Sequence, residues 1–187
     1  MLYSIREFRM RVLQTPHSAN ATQLPQAARF FPVLVIAATV FAGLLRFYGL
    51  DRQELWLDES CTYYFVHQVS PFDFQSKPLL YENASRLYYM LLAGWTSITG
   101  PSAWGLRSFS AVLGTLTVPL IAFWLRSTAG HLPAILAALI TAVHPLHVHY
   151  SREARFYPLW MVEIICLLWC AHWAVRTGKK RYWAGYA

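Results

Sequence analysis

Charge is scarce in this chain: Asp, Glu, Lys and Arg together make up 13% of its 187 residues, against 56% hydrophobic residues. That balance, with the apolar residues gathered in long runs and not in short amphipathic stripes, excludes a soluble domain for most of the sequence. Acid is scarcer than base, nine residues against sixteen, for a net charge of +7. In a soluble protein such an excess would suggest nucleic acid. Here the basic residues collect at the ends of apolar runs, where they orient helices in a membrane, and no nucleic-acid binding is expected. Cysteine is limited to Cys61, Cys166 and Cys170. The last two fall on one helix face of an apolar run without the partners or spacing of a zinc site, and read as packing residues. Internal repeats and low-complexity tracts are lacking. So is a cleavable leader: the first apolar run starts at Phe30 with no small-residue cleavage pattern, and is expected to stay in place as a signal anchor.

What the sequence does contain is a series of spans. A hydrocarbon core of about 30 Å takes about 20 helical residues at about 1.5 Å of rise each. Residues 30–50, 108–125, 131–148 and 156–175 approach or exceed that length, with Arg46 near one end of the first, where its stem can snorkel. The expectation is an all-α membrane protein of about four transmembrane helices. Residues 87–99 are uncharged but too short to cross unaided. If they do not cross, Arg6, Arg9, Arg11 and Arg29 (against Glu7), Arg126, and the group Arg176, Lys179, Lys180 and Arg181 share one side, the cytoplasm by the positive-inside rule. The short run then becomes an interfacial helix in a large external loop, with Tyr88, Tyr89 and Trp95 at headgroup level.

The organisation follows. Residues 1–29 form a cytoplasmic segment. Residues 30–175 form a transmembrane module with external loops at 51–103 and 149–155. Residues 176–187 form a cytoplasmic basic segment leading into aromatics that read as the start of a further span, so a fragment or a truncated product is expected. The protein is expected in the plasma (inner) membrane, multi-pass, with its N terminus in the cytoplasm.

Chemistry should lie in the two external loops. The large one opens with Leu55-Trp56-Leu57-Asp58-Glu59, and adjacent acids on a helix or turn point in different directions. One can act as base or metal ligand while the other is held by structure; the plainer reading is an acidic pair capping the helix that follows. The short loop is denser, with Arg152, Glu153, Arg155 and Tyr157 at the outer ends of two spans. Two guanidiniums offer forked donors suited to phosphate oxygens, and Glu153 can pair with either or bind a metal. The plainer reading is that they anchor helix ends at the interface. Arg107 stands at the outer start of the second span. Glu163 lies within the fourth, where an ionisable residue is costly and is either functional or a buried structural partner. His144, His147 and His149 lack clean metal spacing and read as interfacial packing. Asn83-Ala84-Ser85 is a glycosylation sequon by letter.

Taken in order, several of these pieces resemble the polytopic GT-C glycosyltransferases, particularly the family 39-like group related to protein O-mannosyltransferases and aminoarabinose transferases. The resemblance rests on Leu55-Trp56-Leu57-Asp58-Glu59, the stretch from Arg86 to Leu92 with Trp95 and Gly100, the stretch from Leu106 to Ala111 with Gly114, and the stretch from His144 to Tyr157. It covers residues 30–175 as the N-terminal module of such an enzyme. Relatives commonly carry His-Pro-Pro or Lys-Pro-Pro before the Leu-Tyr-Tyr stretch. Here Ala84-Ser85-Arg86 stands in that place, and Arg86 can substitute as the basic contact.

The resemblance implies inverting transfer of a sugar from a polyprenyl-phosphate donor to a glycan, lipid or protein acceptor at the outer membrane face. It implies Asp58 as general base with Glu59 in support, Arg86, Arg107, Arg155 and Tyr157 around the donor phosphate, and a divalent metal, magnesium or manganese, on Asp58 and Glu153. The competing expectation is a non-catalytic membrane protein: a transporter-like or scaffold subunit, or an inactive truncated copy. A transporter should place polar or broken helices at the bilayer midplane, whereas most charges here sit at span ends and in outer loops.

Overall fold

A computed structural model describes residues 25–68 and 86–186. Arg6, Glu7, Arg9 and Arg11, and likewise Asp73, Lys77, Glu82 and the sequon at Asn83, lie outside the described residues. Within them every regular element is a helix: α1 (Pro25–Phe47), α2 (Leu57–Gln68), α3 (Arg86–Thr99), α4 (Ala103–Thr128), α5 (His131–Val143), α6 (Pro145–Tyr150), α7 (Tyr157–Thr177) and α8 (Lys180–Tyr186). Three of these, α1, α4 and α7, are long and apolar enough to cross a membrane. The chain is an all-α membrane protein.

The third expected span differs from its reading in the sequence. It is not continuous from 131 to 148: α5 ends at Val143, and α6 starts afresh at Pro145. Proline has no N–H to donate, so the carbonyl of Thr141 loses its partner four residues on. Arg46 of α1 supplies the missing donor. Its Nη2 donates to Thr141 O at 3.1 Å and its Nη1 to Ala142 O at 3.1 Å and Ala42 O at 2.9 Å. A cation on the terminal carbonyls of a helix also matches the helix dipole. Arg46 is therefore 0% exposed and points into the bundle, so the snorkelling expected from its position near a span end is corrected.

Two clusters pack the helices. Toward one end Phe31, Val35, Ala38 and Ala42 of α1 meet Val118 and Ala122 of α4 and Ala134, Ile135, Ala138 and Ala142 of α5. Alanines at these contacts let the backbones approach closely, as helices in lipid require. Arg126 over the Phe31 ring and the Phe31–His131 contact fix that end. At the opposite end Val66 of α2, Tyr88, Tyr89 and Leu92 of α3, and Leu106 and Phe109 of α4 enclose Ala154, Phe156 and Leu159.

The short helix α3 lies against the first turns of α4 and does not run the length of the bundle: Trp95 Nε1 donates to Ser108 Oγ at 2.9 Å, and Tyr88 Oη lies 3.1 Å from Ser110 Oγ. Tyr88 and Tyr89 are buried in that cluster instead of facing headgroups. At the other end Gly178, with φ of 67°, closes α7, and α8 turns back along α7 with Tyr182 stacked on Trp173.

One close approach fixes the loop that follows α6. Gly114 of α4 faces Ser151, and a Cβ there would overlap the serine side chain and press on Arg46 Nε. Gly114→Ala should push Ser151 outward and cost about 1–3 kcal/mol by overpacking. Chemical unfolding in detergent checks this, and an unchanged midpoint would show that the loop gives way freely.

Candidate functional site

The C-terminal end of α1 and the N-terminal ends of α4 and α7, with α2 and the turn at residues 151–156, converge on one pair of side chains. Glu59, in the first turn of α2, is 0% exposed. Its Oε1 accepts from Arg107 Nε at 2.8 Å and from the backbone N–H of Ala154 at 2.9 Å, and its Oε2 accepts from Arg107 Nη2 at 2.5 Å. Arg107 also donates through Nη1 to Leu50 O at 2.7 Å and Gln53 O at 2.8 Å, and through Nη2 to Glu54 O at 3.0 Å. A guanidinium has five N–H groups, and all five are engaged, leaving none for a phosphate oxygen. The pair fastens the end of α1, the start of α2, the start of α4 and the 151–156 turn to one another.

Asp58 precedes Glu59 by one residue and turns the other way. Its side chain is 41% exposed, and its Oδ2 lies 3.9 Å from Arg155 Nη2. Arg155 itself is buried at the head of α7, its backbone carbonyl accepting from Ser110 Oγ at 3.0 Å, and its guanidinium lies 5.4 Å from the Phe156 ring centre and 6.0 Å from that of Tyr157. Aromatic faces favour such a cation. Tyr157 is half-buried and packs on Tyr150 and Phe156.

Glu153 joins this group from the turn. Its Oε1 lies 3.1 Å from Nε2 of His149, one helical turn earlier. Burial pushes the Glu153 carboxyl above the ordinary glutamate value; His149 and Arg155 pull it down, while Glu59 and Asp58 push it further up. Among the described residues no three His, Cys, Asp or Glu side chains gather as a metal cage. With both Glu59 oxygens committed to Arg107 and Ala154, Asp58 and Glu153 are the two other acids of the group, each beside a base, Arg155 at 3.9 Å and His149 at 3.1 Å.

The structure thus brings together Asp58, Glu59, Arg107, Glu153, Arg155 and Tyr157. Arg86, exposed at the first residue of α3, makes no hydrogen bond or ion pair with them among the described residues. Glu163 is half-buried on α7 without a hydrogen bond or ion pair among the described residues, and takes no part in the group.

The histidines part ways. His144 is exposed at the α5–α6 break. His149 pairs with Glu153, so it is more than interfacial packing. His147 is drawn into the bundle, its Nδ1 2.8 Å from Arg46 Nη2 and its Nε2 3.0 Å from Thr117 Oγ1. The Thr117 hydroxyl donates to Gly114 O at 2.7 Å, so it accepts from His147, and the ring carries its proton on Nε2 while Nδ1 accepts from Arg46. Arg46 and His147 are the residues the sequence reading missed as part of the scaffold. The signal available for them was Pro145, whose missing N–H leaves a carbonyl of α5 in need of a donor.

Two cavities flank α6. One, of about 460 Å³, is apolar and lined by Ile140, Leu146, Tyr157, Trp160, Met161 and Ile164 among others. The other, of about 500 Å³, is a polar cleft against the Glu59–Arg107 pair, with Arg52, Trp56, Arg152 and Glu153 in its walls.

A family model described as dolichyl-phosphate-mannose-protein mannosyltransferase matches residues 84–187, more than half of the chain. The matched segment includes Arg86, Arg107 and the Arg152 to Tyr157 turn, and begins downstream of Asp58 and Glu59. No curated protein and no solved structure matches the chain.

Proposed function

Because the chain belongs to the dolichyl-phosphate-mannose-protein mannosyltransferase family, of GT-C type, we propose that it moves a sugar from a polyprenyl-phosphate carrier to a hydroxyl of a glycan, lipid or protein acceptor at the outer face of the plasma (inner) membrane, with the N terminus in the cytoplasm. The observation that carries this reading is the pairing of a half-exposed carboxylate, Asp58, with Arg155 at 3.9 Å, beside a second acid, Glu59, buried and occupied by Arg107 and the Ala154 N–H. Of the two, Asp58 is the acid that solvent and a substrate can reach.

In the proposed step the acceptor oxygen attacks the anomeric carbon as the bond from that carbon to the carrier phosphate breaks, with inversion. The phosphate leaves with the bonding pair, and Asp58 takes the acceptor proton. Arg155, backed by Tyr157, faces the negative charge that grows on the phosphate, where a forked donor is most effective. Glu59 and Arg107 position both groups by holding α2 against the 151–156 turn. Arg86 is assigned to the donor phosphate on its family position alone. A divalent cation, magnesium or manganese, would be held by Asp58 and Glu153 and would neutralise charge on the leaving phosphate. The apolar cavity beside Tyr157 suits an isoprenoid chain.

Membranes carrying the full gene product should transfer radiolabelled sugar from at least one polyprenyl-phosphate donor. No transfer from any member of a panel of such donors, with the protein inserted and folded, would leave the non-catalytic reading in its place.

A further inference from the structure

The polar cleft of about 500 Å³ is not the place where Asp58 and Arg155 meet; neither of them lines it. Its inner wall is the Glu59–Arg107 pair, whose charges cancel and whose donors are spent. Its outer wall carries two more guanidiniums, Arg52 and Arg152, that the transfer reading does not use.

Both are held by Tyr48, at the end of α1. Arg152 donates from Nη2 to the Tyr48 carbonyl at 2.8 Å, and the Arg52 guanidinium lies 4.5 Å from the centre of the Tyr48 ring. Gly49 makes the second contact feasible. Its φ is 65°, and a Cβ there would come within 2.8 Å of Arg52 Cδ and 2.9 Å of Nε, so a side chain would both strain the backbone and displace the arginine. Among the described residues neither Arg52 nor Arg152 lies within ion-pair distance of a carboxylate. Of the nearby acids, Glu59 is taken by Arg107, Glu153 lines the cleft with an oxygen 3.1 Å from His149 Nε2, and Asp51 and Glu54 are exposed and outside the lining. With the three guanidiniums of Arg52, Arg107 and Arg152 against the two carboxylates of Glu59 and Glu153, the lining keeps a positive excess of one charge, and Arg52 and Arg152 bring forked donors to it, a match for a phosphate group.

Its surroundings indicate what carries that phosphate. The cleft opens at the end of a membrane-spanning helix, and its rim holds Trp56, 46% exposed, with Tyr48 beside it at 65%. Indole and phenol rings at such a level are at home among lipid headgroups. We propose that Arg52 and Arg152 form a second anion site, separate from Asp58 and Arg155, that seats the phosphate of a lipid in the outer leaflet. The site does not depend on the transfer reading, because binding there needs neither Asp58 nor Arg155.

The test measures retention of fluorescent phosphatidylglycerol and phosphatidylcholine by the full-length protein purified in detergent. The wild type should prefer phosphatidylglycerol by about tenfold, the effect of roughly one charge-assisted hydrogen bond. Arg52→Gln/Arg152→Gln should bring the two lipids to parity, while Asp58→Asn keeps the preference. Arg52→Lys/Arg152→Lys, which retains charge without the fork, should fall between, and serves if the glutamine variant does not fold. Polyprenyl monophosphate should displace phosphatidylglycerol, and inorganic phosphate at equal concentration should not. Parity in the wild type, a preference unmoved in both double variants, or equal displacement by inorganic phosphate would overturn the proposal.

Discussion

Asp58→Asn should lower sugar transfer by about 10²- to 10⁴-fold, the contribution of a well-placed general base, while membrane insertion and unfolding stay as in the wild type. The side chain is partly exposed, and Arg155 faces it at 3.9 Å, so an amide of the same size disturbs little packing. What it removes is the capacity to accept a proton from the acceptor hydroxyl. The comparison is made with radiolabelled donor and membranes matched for protein content. Turnover within a few fold of the wild type would show that the proton goes elsewhere.

Neutralising one side of the Glu59–Arg107 pair should have the second large effect, of a different kind. Glu59→Gln leaves a guanidinium buried among carbonyls without its counter-charge, and the loss expected on breaking a buried pair is about 3–5 kcal/mol. Arg107→Gln strands the carboxylate in the same way. The double variant should lose less than the sum of the two, because neither charge is then left alone. Unfolding in detergent by chemical denaturant reads all three. A single-variant loss below about 1 kcal/mol would show a pair exposed to water, at odds with its burial. Transfer should fall in these variants together with stability, in contrast to Asp58→Asn, where activity alone is lost.

The difference between the two neighbouring acids shows where the sequence stops being legible. Adjacent carboxylates announce that one can work while the other is held, but which is which depends on Arg107, far along the chain, and on the N–H of Ala154. Long-range pairing of this kind leaves no local pattern. Apolar runs do, and α1, α4 and α7 were readable because an uninterrupted stretch of that length has few alternatives. The third run misled: hydropathy continues through His144, whereas the backbone breaks at Pro145.

Arg46 followed from that break. Its place near a helix end suggests snorkelling, yet the carbonyl of Thr141 needs a donor, and hydrogen bonds to three carbonyls and to His147 offset the cost of burying the charge. Tyr88 and Tyr89 were misplaced for a related reason. Aromatics on a short external helix suit headgroups, but α2 and α4 supply an apolar shelf that buries them. The His149–Glu153 pair is spaced i and i+4, but Glu153 lies in the turn beyond the helix that ends at Tyr150, so helical spacing alone did not announce it.

The central claim is that Asp58 and Arg155 share the non-cytoplasmic face. Its most direct test is labelling of single cysteines in a cysteine-free background with a membrane-impermeant maleimide applied to intact cells. Ser60→Cys and His149→Cys, both at exposed positions beside the group, should label from outside, and Lys179→Cys, exposed beyond the opposite end of α7, should label only after permeabilisation. Labelling of Lys179→Cys from outside, with the other two protected until the membrane is opened, would contradict the account.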